Sequence, residues 1–151
     1  MRCGFGSDAK RGLRAERGAV AVEFAIILPV LVLLILGGMD LGHRYLLGHL
    51  ASNASREGAR YGVKYHVDPI TSLPVAPSDL AISNYVKLPQ PTGLGYANLL
   101  GDDNLPVTPV KVGNILTVTV TAHKHWWVLG SLPGFTNPQT LTAATAMALE
   151  R

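Results

Sequence analysis

The sequence predicts an α+β protein, in which a long N-terminal transmembrane helix continues into an amphipathic helix packed on a small antiparallel β-sheet of about three strands. Three observations predict this fold. An uninterrupted apolar run follows a short basic leader, and apolar residues recur at helical spacing beyond that run. Near the C-terminus, apolar and polar residues alternate over strand-length segments, which is typical of half-buried strands.

The apolar run extends from Ala19 to Met39, and Glu23 is its one ionisable residue. Its 21 residues are enough to span a bilayer, because a helix that rises about 1.5 Å per residue crosses the hydrocarbon core in roughly 20 residues. The leader before it contains five basic and two acidic residues, and such a basic flank stays on the cytoplasmic side. The sequence therefore predicts a cytoplasmic leader, a membrane-spanning helix and an outer domain: residues 1–18, 19–40 and 41–151.

The net charge of the chain gives no indication of a nucleic-acid partner. Residues 19–151 contain eight basic and eight acidic residues, so the whole formal charge of +3 lies in the leader. The one cysteine, Cys3, also lies in the leader, so the rest of the chain cannot form a disulfide. We predict no nucleic-acid partner.

Four residues within the apolar run predict local function or local deformation. A carboxylate at the centre of a membrane helix costs on the order of 2.5 to 3.5 kcal/mol, so Glu23 indicates a functional role. Pro29 removes one backbone donor and predicts a kink. Gly37 and Gly38 lower helix propensity near the end of the run, which fits either a flexible hinge or close packing against another helix.

The start of the run resembles the processing site of type IV prepilins, because Gly18 precedes a short stretch of small apolar residues and is followed five positions later by Glu23 and then Phe24. The longer segment 18–61 resembles TadE-like proteins of the Tad (tight adherence, Flp) pilus. The stretches that carry this resemblance are Glu23-Phe24-Ala25, Leu28-Pro29, Gly37 to Gly42, Asn53 to Tyr61 and, near the C-terminus, Leu141 to Glu150.

The resemblance implies that a prepilin peptidase cleaves between Gly18 and Ala19 and leaves a free α-amine on Ala19. In a pilin-like assembly this amine lies in apolar surroundings. There the carboxylate of Glu23, which Phe24 follows, can pair with the amine of a neighbouring subunit, because charges are tolerated in such surroundings when they are paired. The alternative is that Glu23 lies at the membrane interface and reaches the headgroups.

The same resemblance implies a pilin-like fold, a function and a set of partners. The function is that of a minor pilin or pseudopilin in the assembly of a Tad pilus for surface adherence, since residues 19–151 are longer than the family's major pilins. The implied partners are the prepilin peptidase, a TadF-like minor pseudopilin, the major Flp pilin and the inner-membrane assembly platform. The implied location is the bacterial inner membrane, with one span and the C-terminus periplasmic or extracellular. Incorporation into the filament and priming from the membrane both remain open.

Other interpretations of the N-terminus remain open as well. Signal peptidase could act near Leu36-Gly37-Gly38, although Glu23 and Pro29 are unusual within a signal sequence. Lipoprotein anchoring would need a cysteine after the apolar run, whereas Cys3 precedes it. An uncleaved bitopic membrane protein, whose outer domain binds an envelope ligand or partner, predicts the same topology and differs in keeping its leader.

Beyond the apolar run the helix is predicted to continue to about Tyr65, because apolar residues recur there at three-, four- and seven-residue spacings. The region from His66 to Pro109 is rich in proline and in turn residues, which predicts mostly loop. One short helix is expected within it at Asp79 to Lys87, with Ser78 as its N-cap.

Three strands are predicted after this region. They are Val107 to Val112, Ile115 to Trp127 and Thr140 to Leu149. Gly113-Asn114 predicts a hairpin turn between the first two strands, and Pro109 places the first strand at an edge. On the second strand, alternation assigns four residues to the buried face: Val118, Val120, Ala122 and Trp126.

His123 and His125 share the other face of the second strand, where two imidazoles could bind a metal. The sequence places no third ligand near them, and a closed zinc site needs about four ligands. The turn Asp102-Asp103 could supply one, but nothing in the sequence brings it close to His123. We therefore predict a polar strand face, no metal and no cofactor. The sequence also has no phosphate-binding glycine loop or nucleophile elbow, so it does not predict an enzyme.

Trp126 and Trp127 point to opposite faces at the end of the predicted second strand. One indole is expected in the core. The other can contact a partner or the surface of the bilayer, where tryptophan is enriched.

Overall fold

A computed structural model describes residues 8–67 and 72–149 of the chain, with side chains described from Val20 onward. The fold is α+β, as predicted. A long N-terminal helix is followed by short helices and two small antiparallel sheets. The elements in chain order are α1 (Asp8–Val63), β1 (His66–Val67), β2 (Pro74–Val75), α2 (Asp79–Lys87), α3 (Tyr96–Leu100), β3 (Val107–Val112), β4 (Ile115–Lys124), a 3-10 turn (Leu129–Ser131) and β5 (Gln139–Ala148).

Helix α1 contains the apolar run and continues through Pro29, Gly37 and Gly38. Among the residues that the structure describes, α1 is the one helix that is long and apolar enough to cross a membrane. The chain divides into two compact units, Met1–Met39 and Asp40–Arg151. We call the second the folded unit, and residues 20–39 of the first the apolar segment. The kink at Pro29 and the hinge at Gly37 and Gly38 stay predictions.

The larger sheet has the strand order β3-β4-β5, and both pairs are antiparallel. Strand β3 has the predicted bounds and lies at an edge, as Pro109 requires. The predicted turn at Gly113-Asn114 joins it to β4, and Gly113 has a φ of 60°, which favours glycine. Strand β5 begins and ends one residue earlier than predicted.

Strand β4 is shorter than predicted and ends at Lys124 instead of Trp127. Lys124 pairs with Gln139, the first residue of β5. The backbone N–H groups of Trp127, Val128 and Leu129 donate to a side chain of α1 and not to a neighbouring strand. The prediction of a strand to Trp127 is therefore wrong, because the N–H groups of Trp126 and Trp127 donate to the side chains of Asn137 and Asp40 and not to a strand ladder.

The C-terminal half of α1 packs on one face of the larger sheet. Its contacting residues are small, which lets the helix backbone come close to the strands: Ala51, Ala54, Ser55, Gly58, Ala59 and Gly62. From the sheet, β4 contributes Leu116, Val118, Val120 and Ala122, all fully buried. The buried face predicted by alternation is therefore confirmed.

Helix α1 runs antiparallel to β4 and parallel to β5 in the folded unit. Near its start there, Arg44 Nε donates to Gln139 Oε1 at 2.8 Å. Further along, Ser55 Oγ lies 2.8 Å from Thr145 Oγ1, and Gly62 lies against Leu116. The connection between β4 and β5, residues 125–138, therefore lies at the end of the sheet where α1 enters the folded unit. We call this connection the base loop.

Helix α2 has the predicted bounds, and Ser78 is its N-cap. The Ser78 hydroxyl accepts a hydrogen bond from the backbone N–H of Ala81 at 3.2 Å. The helix buries Ile82 and Val86 against α1 and the sheet. It thus closes the core on the side of α1 where the glycines lie.

The prediction of mostly loop between His66 and Pro109 misses α3 and the β1–β2 pair. Helix α3 has five residues, with Gly95 and Gly101 in the left-handed conformation at its ends. Strands β1 and β2 have two residues each. A five-residue helix contains less than two turns, and a two-residue strand covers a single period of alternation. Hydrophobic periodicity therefore cannot reveal either kind of element.

Candidate functional site

The predicted processing and pairing residues lie near the start of α1. Gly18 and Ala19 are within the helix, just before the first residue whose side chain is described. Glu23 and Phe24 are both exposed, as are the large apolar side chains of the apolar segment. A helix that is apolar on all sides is typical of a membrane span or of a helix buried among others.

A buried ion pair lies where α1 enters the folded unit. Asp40 and Lys124 are both fully buried, and Lys124 Nζ lies 2.9 Å from Asp40 Oδ1. The same ammonium donates to the backbone carbonyl of His125 at 2.6 Å. It also lies 5.3 Å from the centroid of the Trp126 ring and 4.7 Å from that of Trp127, so two aromatic faces stabilise the buried cation.

The Asp40 carboxylate also fixes the base loop. The backbone N–H groups of Trp127, Val128 and Leu129 donate to Oδ2 at 3.1, 2.9 and 3.2 Å. Every partner of the carboxylate is a hydrogen-bond donor. An ionised carboxylate can accept from all of them, whereas a protonated one has an O–H group that would face other donors. Asp40 is therefore the anion that compensates Lys124, and it ties the loop to α1.

Aromatic and polar contacts surround the ion pair. The rings of His43 and Trp127 are stacked with centroids 5.2 Å apart. Trp126 is buried and donates from Nε1 to the carbonyl of Thr136 at 3.0 Å, while Phe135 meets its ring edge-on. A pocket of about 250 Å³ opens beside it, lined by Leu41, Arg44, Trp126, Gly134, Phe135, Thr136 and Gln139. The two tryptophans therefore divide as predicted, with Trp126 in the core and Trp127 exposed.

The ion pair was not predicted, although the sequence contains a signal for it. The alternation that buries Val118, Val120 and Ala122 also assigns Lys124 to the buried face. A lysine at such a position needs a carboxylate partner, since a buried unpaired charge is very unfavourable. Asp40, the first charged residue after the apolar segment, provides it.

The structure brings Asp102 to His123, which the sequence did not predict. His123 Nδ1 lies 3.0 Å from Asp102 Oδ2, and Asp102 Oδ1 accepts from the backbone N–H of Asn104. His125 is exposed. Within the part of the chain that the structure describes, no group of three or more potential metal ligands is found. The His123–Asp102 contact therefore fastens the turn before β3 to β4.

Aromatic rings pack near the C-terminal end of α1. The ring of Tyr61 stacks on Tyr85 with centroids 4.0 Å apart and lies 4.4 Å from the ring of His66. Burial raises the pKa of Tyr96 above its ordinary value, and the nearby Glu57 carboxylate and Tyr85 add to the shift. The Tyr96 phenol therefore stays protonated at neutral pH and is not available as a base.

Comparison with known proteins bears on the first part of the chain. The family model described as TadE-like protein matches residues 18–60. No curated protein and no solved structure matches the chain. The resemblance of the N-terminal segment to TadE-like proteins is therefore confirmed over residues 18–60, and this match indicates a Tad pilus-associated protein. The matched segment contains Asp40, whereas Lys124 and the larger sheet lie outside it.

Proposed function

From this TadE-like segment, we propose that the chain is a minor pilin or pseudopilin that takes part in assembling a Tad pilus for surface adherence. One observation carries the proposal. Glu23 is the one ionisable residue of an apolar segment whose large side chains are exposed, and it follows Gly18, where the matched segment begins, by five residues. An unpaired carboxylate in an apolar helix is unfavourable, so we expect a cation that pairs with it.

The cation is the amine that processing creates. A prepilin peptidase hydrolyses the peptide bond between Gly18 and Ala19, which removes the basic leader and leaves a protonated amine on Ala19. A glycine before the scissile bond presents no side chain to obstruct the peptidase. The mature chain then begins at Ala19, the first residue of the apolar run, and its N-terminal amine and the Glu23 carboxylate carry opposite charges.

Glu23 pairs with the amine of a neighbouring subunit as the helices come together. Two charges in apolar surroundings are mutually stabilised by pairing, and each alone is strongly unfavourable. The pairing thus favours a fixed register between adjacent helices. The exposed apolar side chains around Glu23, including Phe24, supply the packing surface.

The chain acts as a substrate of the peptidase and as a subunit, not as an enzyme. Its further partners in this proposal are a TadF-like minor pseudopilin, the major Flp pilin and the inner-membrane assembly platform. It is a single-pass protein of the inner membrane with the basic leader in the cytoplasm. The folded unit lies on the periplasmic or extracellular side.

The first residue of the purified protein tests the processing step. We expect Ala19 as the first residue, and the matching intact mass, in cells that co-express the peptidase, and an unprocessed start in cells without it. Gly18→Val is expected to abolish cleavage, because its side chain meets the peptidase. Gly12→Val is the matched control within the leader and should be cleaved normally.

Two results would contradict the processing step. An intact start at Met1 or Arg2 in the presence of the peptidase would favour an uncleaved bitopic membrane protein. A start near Met39 would instead identify a signal-peptidase product that is released as a soluble domain.

Glu23→Gln separates processing from assembly. The variant keeps Gly18 and Ala19, so we expect normal cleavage. Its amide cannot neutralise the neighbouring amine, and an uncompensated charge in apolar surroundings costs several kcal/mol, so incorporation or pilus priming should fall by at least about tenfold. The measurement is the number of pili per cell and the amount of the chain in the sheared pilus fraction. Unchanged piliation with Glu23→Gln would refute the pairing role.

A further inference from the structure

We infer that the base loop docks on the surface of the same bilayer that the apolar segment crosses, with Trp127, Leu132 and Phe135 at the level of the lipid headgroups. This inference rests on the proposed single-pass anchoring. It adds a second membrane contact, made by the folded unit itself. The partner of the base loop in this inference is the headgroup region of the bilayer.

The position of the loop follows from the Asp40 contacts. Asp40 directly follows Met39, the last residue of the apolar run. Its carboxylate accepts hydrogen bonds of 3.1 and 2.9 Å from the backbone N–H groups of Trp127 and Val128. When the apolar run fills the hydrocarbon core, Asp40 lies at its boundary, and these loop residues lie at the same depth.

The composition of the base loop suits the interface. Residues 125–138 contain no Asp, Glu, Lys or Arg. Trp127 is 65% exposed although it is one of the largest apolar side chains, and Leu132 and Phe135 are also exposed. Tryptophan at a membrane interface places its ring among the headgroups and the upper acyl chains, which is why it is enriched there.

The charges beside the loop fit a lipid surface as well. Arg44 is exposed, borders the same pocket as Leu41 and Phe135, and is one helical turn beyond Asp40. A long cationic side chain at this level can reach lipid phosphates while its stem covers apolar surface. Asp40 is neutralised by Lys124, so its carboxylate presents no uncompensated charge to the headgroups.

The loop is also held rigidly enough to present these side chains. Asp40 fixes three consecutive backbone N–H groups, and Asn137 Oδ1 accepts from the backbone N–H of Trp126 at 3.3 Å. Trp126 Nε1 donates to the Thr136 carbonyl across the loop. Little ordering is therefore needed when the loop meets the bilayer, which lowers the entropic cost of the contact.

Single-tryptophan variants of the full chain in liposomes test the inference. Trp126→Phe leaves Trp127 as the reporter, and Trp127→Phe leaves the buried Trp126 as the matched control. With lipids brominated in the upper acyl chain, we expect at least about a twofold loss of Trp127 emission, and weak quenching of the same residue by aqueous iodide. Trp126 should respond little to either quencher, because the protein buries it.

A second label guards against a Trp126→Phe variant that does not fold. In a Cys3→Ser background, a fluorophore on Leu132→Cys should be quenched by brominated lipid and protected from iodide. The control is Val112→Cys, which is 72% exposed at the opposite end of the larger sheet, and it should show the reverse pattern.

The outcomes separate this inference from the proposed function. If the chain floats with the liposomes while Trp127 and position 132 are open to iodide and untouched by brominated lipid, the docking of the base loop is refuted and the anchoring stands. Protection from both quenchers would indicate a protein contact in place of lipid and would also refute it. If the chain does not float with the liposomes, the anchoring itself fails, and the inference fails with it.

Discussion

Asp40→Asn is expected to destabilise the folded unit by about 3–5 kcal/mol, although asparagine has nearly the same size as aspartate. The substitution leaves the Lys124 ammonium fully buried with no anion to compensate it. The asparagine also places an amide N–H₂ group where the Asp40 oxygens accept only from donors, so a donor would face a donor. The loss therefore comes from unpaired charge and mismatched hydrogen bonds, not from a cavity.

Lys124→Met should be less damaging than Asp40→Asn. Methionine replaces the stem of the lysine with little change in volume, and it removes the buried cation completely. The Asp40 carboxylate keeps its three backbone N–H donors from Trp127, Val128 and Leu129. Four donors converge on Asp40, whereas Lys124 has one carboxylate and one carbonyl as acceptors, so the two substitutions are not equivalent.

Urea unfolding of the full chain in detergent micelles measures these effects through tryptophan fluorescence, since Trp126 and Trp127 adjoin the ion pair. His123→Gln is the matched control, because it removes the partly exposed contact with Asp102. Exposed pairs contribute under about 1 kcal/mol. If Asp40→Asn lowered the free energy of unfolding no more than His123→Gln does, the buried pair would have no special role in stability.

Much of the folded unit could be predicted from local sequence. Helix α2 has a capping serine at its start and a proline just beyond its end, so residues next to the helix determine where it begins and ends. The hairpin of β3 and β4 has a glycine turn, and β4 has strict alternation, so a shift in register by one residue would expose its whole buried face. These signals act over a few residues, and the fold does not override them.

The base of the folded unit could not be predicted in the same way. Asp40 and Lys124 are 84 residues apart, and the sequence does not say which carboxylate compensates a buried lysine. The end of β4 depends in part on that same contact, because Asp40 accepts from the backbone N–H group of Trp127, the predicted last residue of the strand. The contact of His123 with Asp102 likewise depends on where the turn before β3 is folded.

Gly62→Ala is expected to destabilise the folded unit by about 1–3 kcal/mol, although alanine is the better helix former. A methyl group at this position would overlap Leu116 Cδ2 and come within 2.7 Å of Ile82 Cδ1. Both neighbours are fully buried in the core, where a close-packed interior leaves no free volume for them to move into.

Gly48→Ala on the same helix provides the matched control, because a methyl group there meets nothing within 4 Å. This substitution should stabilise the helix by roughly 0.5–1 kcal/mol, since alanine loses less backbone freedom on folding than glycine does. The two variants make the same chemical change in one helix, at Gly48 in its interior and at Gly62 in its last turn. The gain in helix propensity is smaller at Gly62, and the packing against Leu116 and Ile82 decides the sign there. Opposite signs in the same urea titration are therefore expected. If Gly62→Ala also raised the free energy of unfolding, then α1 would not lie as close to Leu116 and Ile82 as the structure has it, and the small residues along this face would not set the distance between helix and sheet.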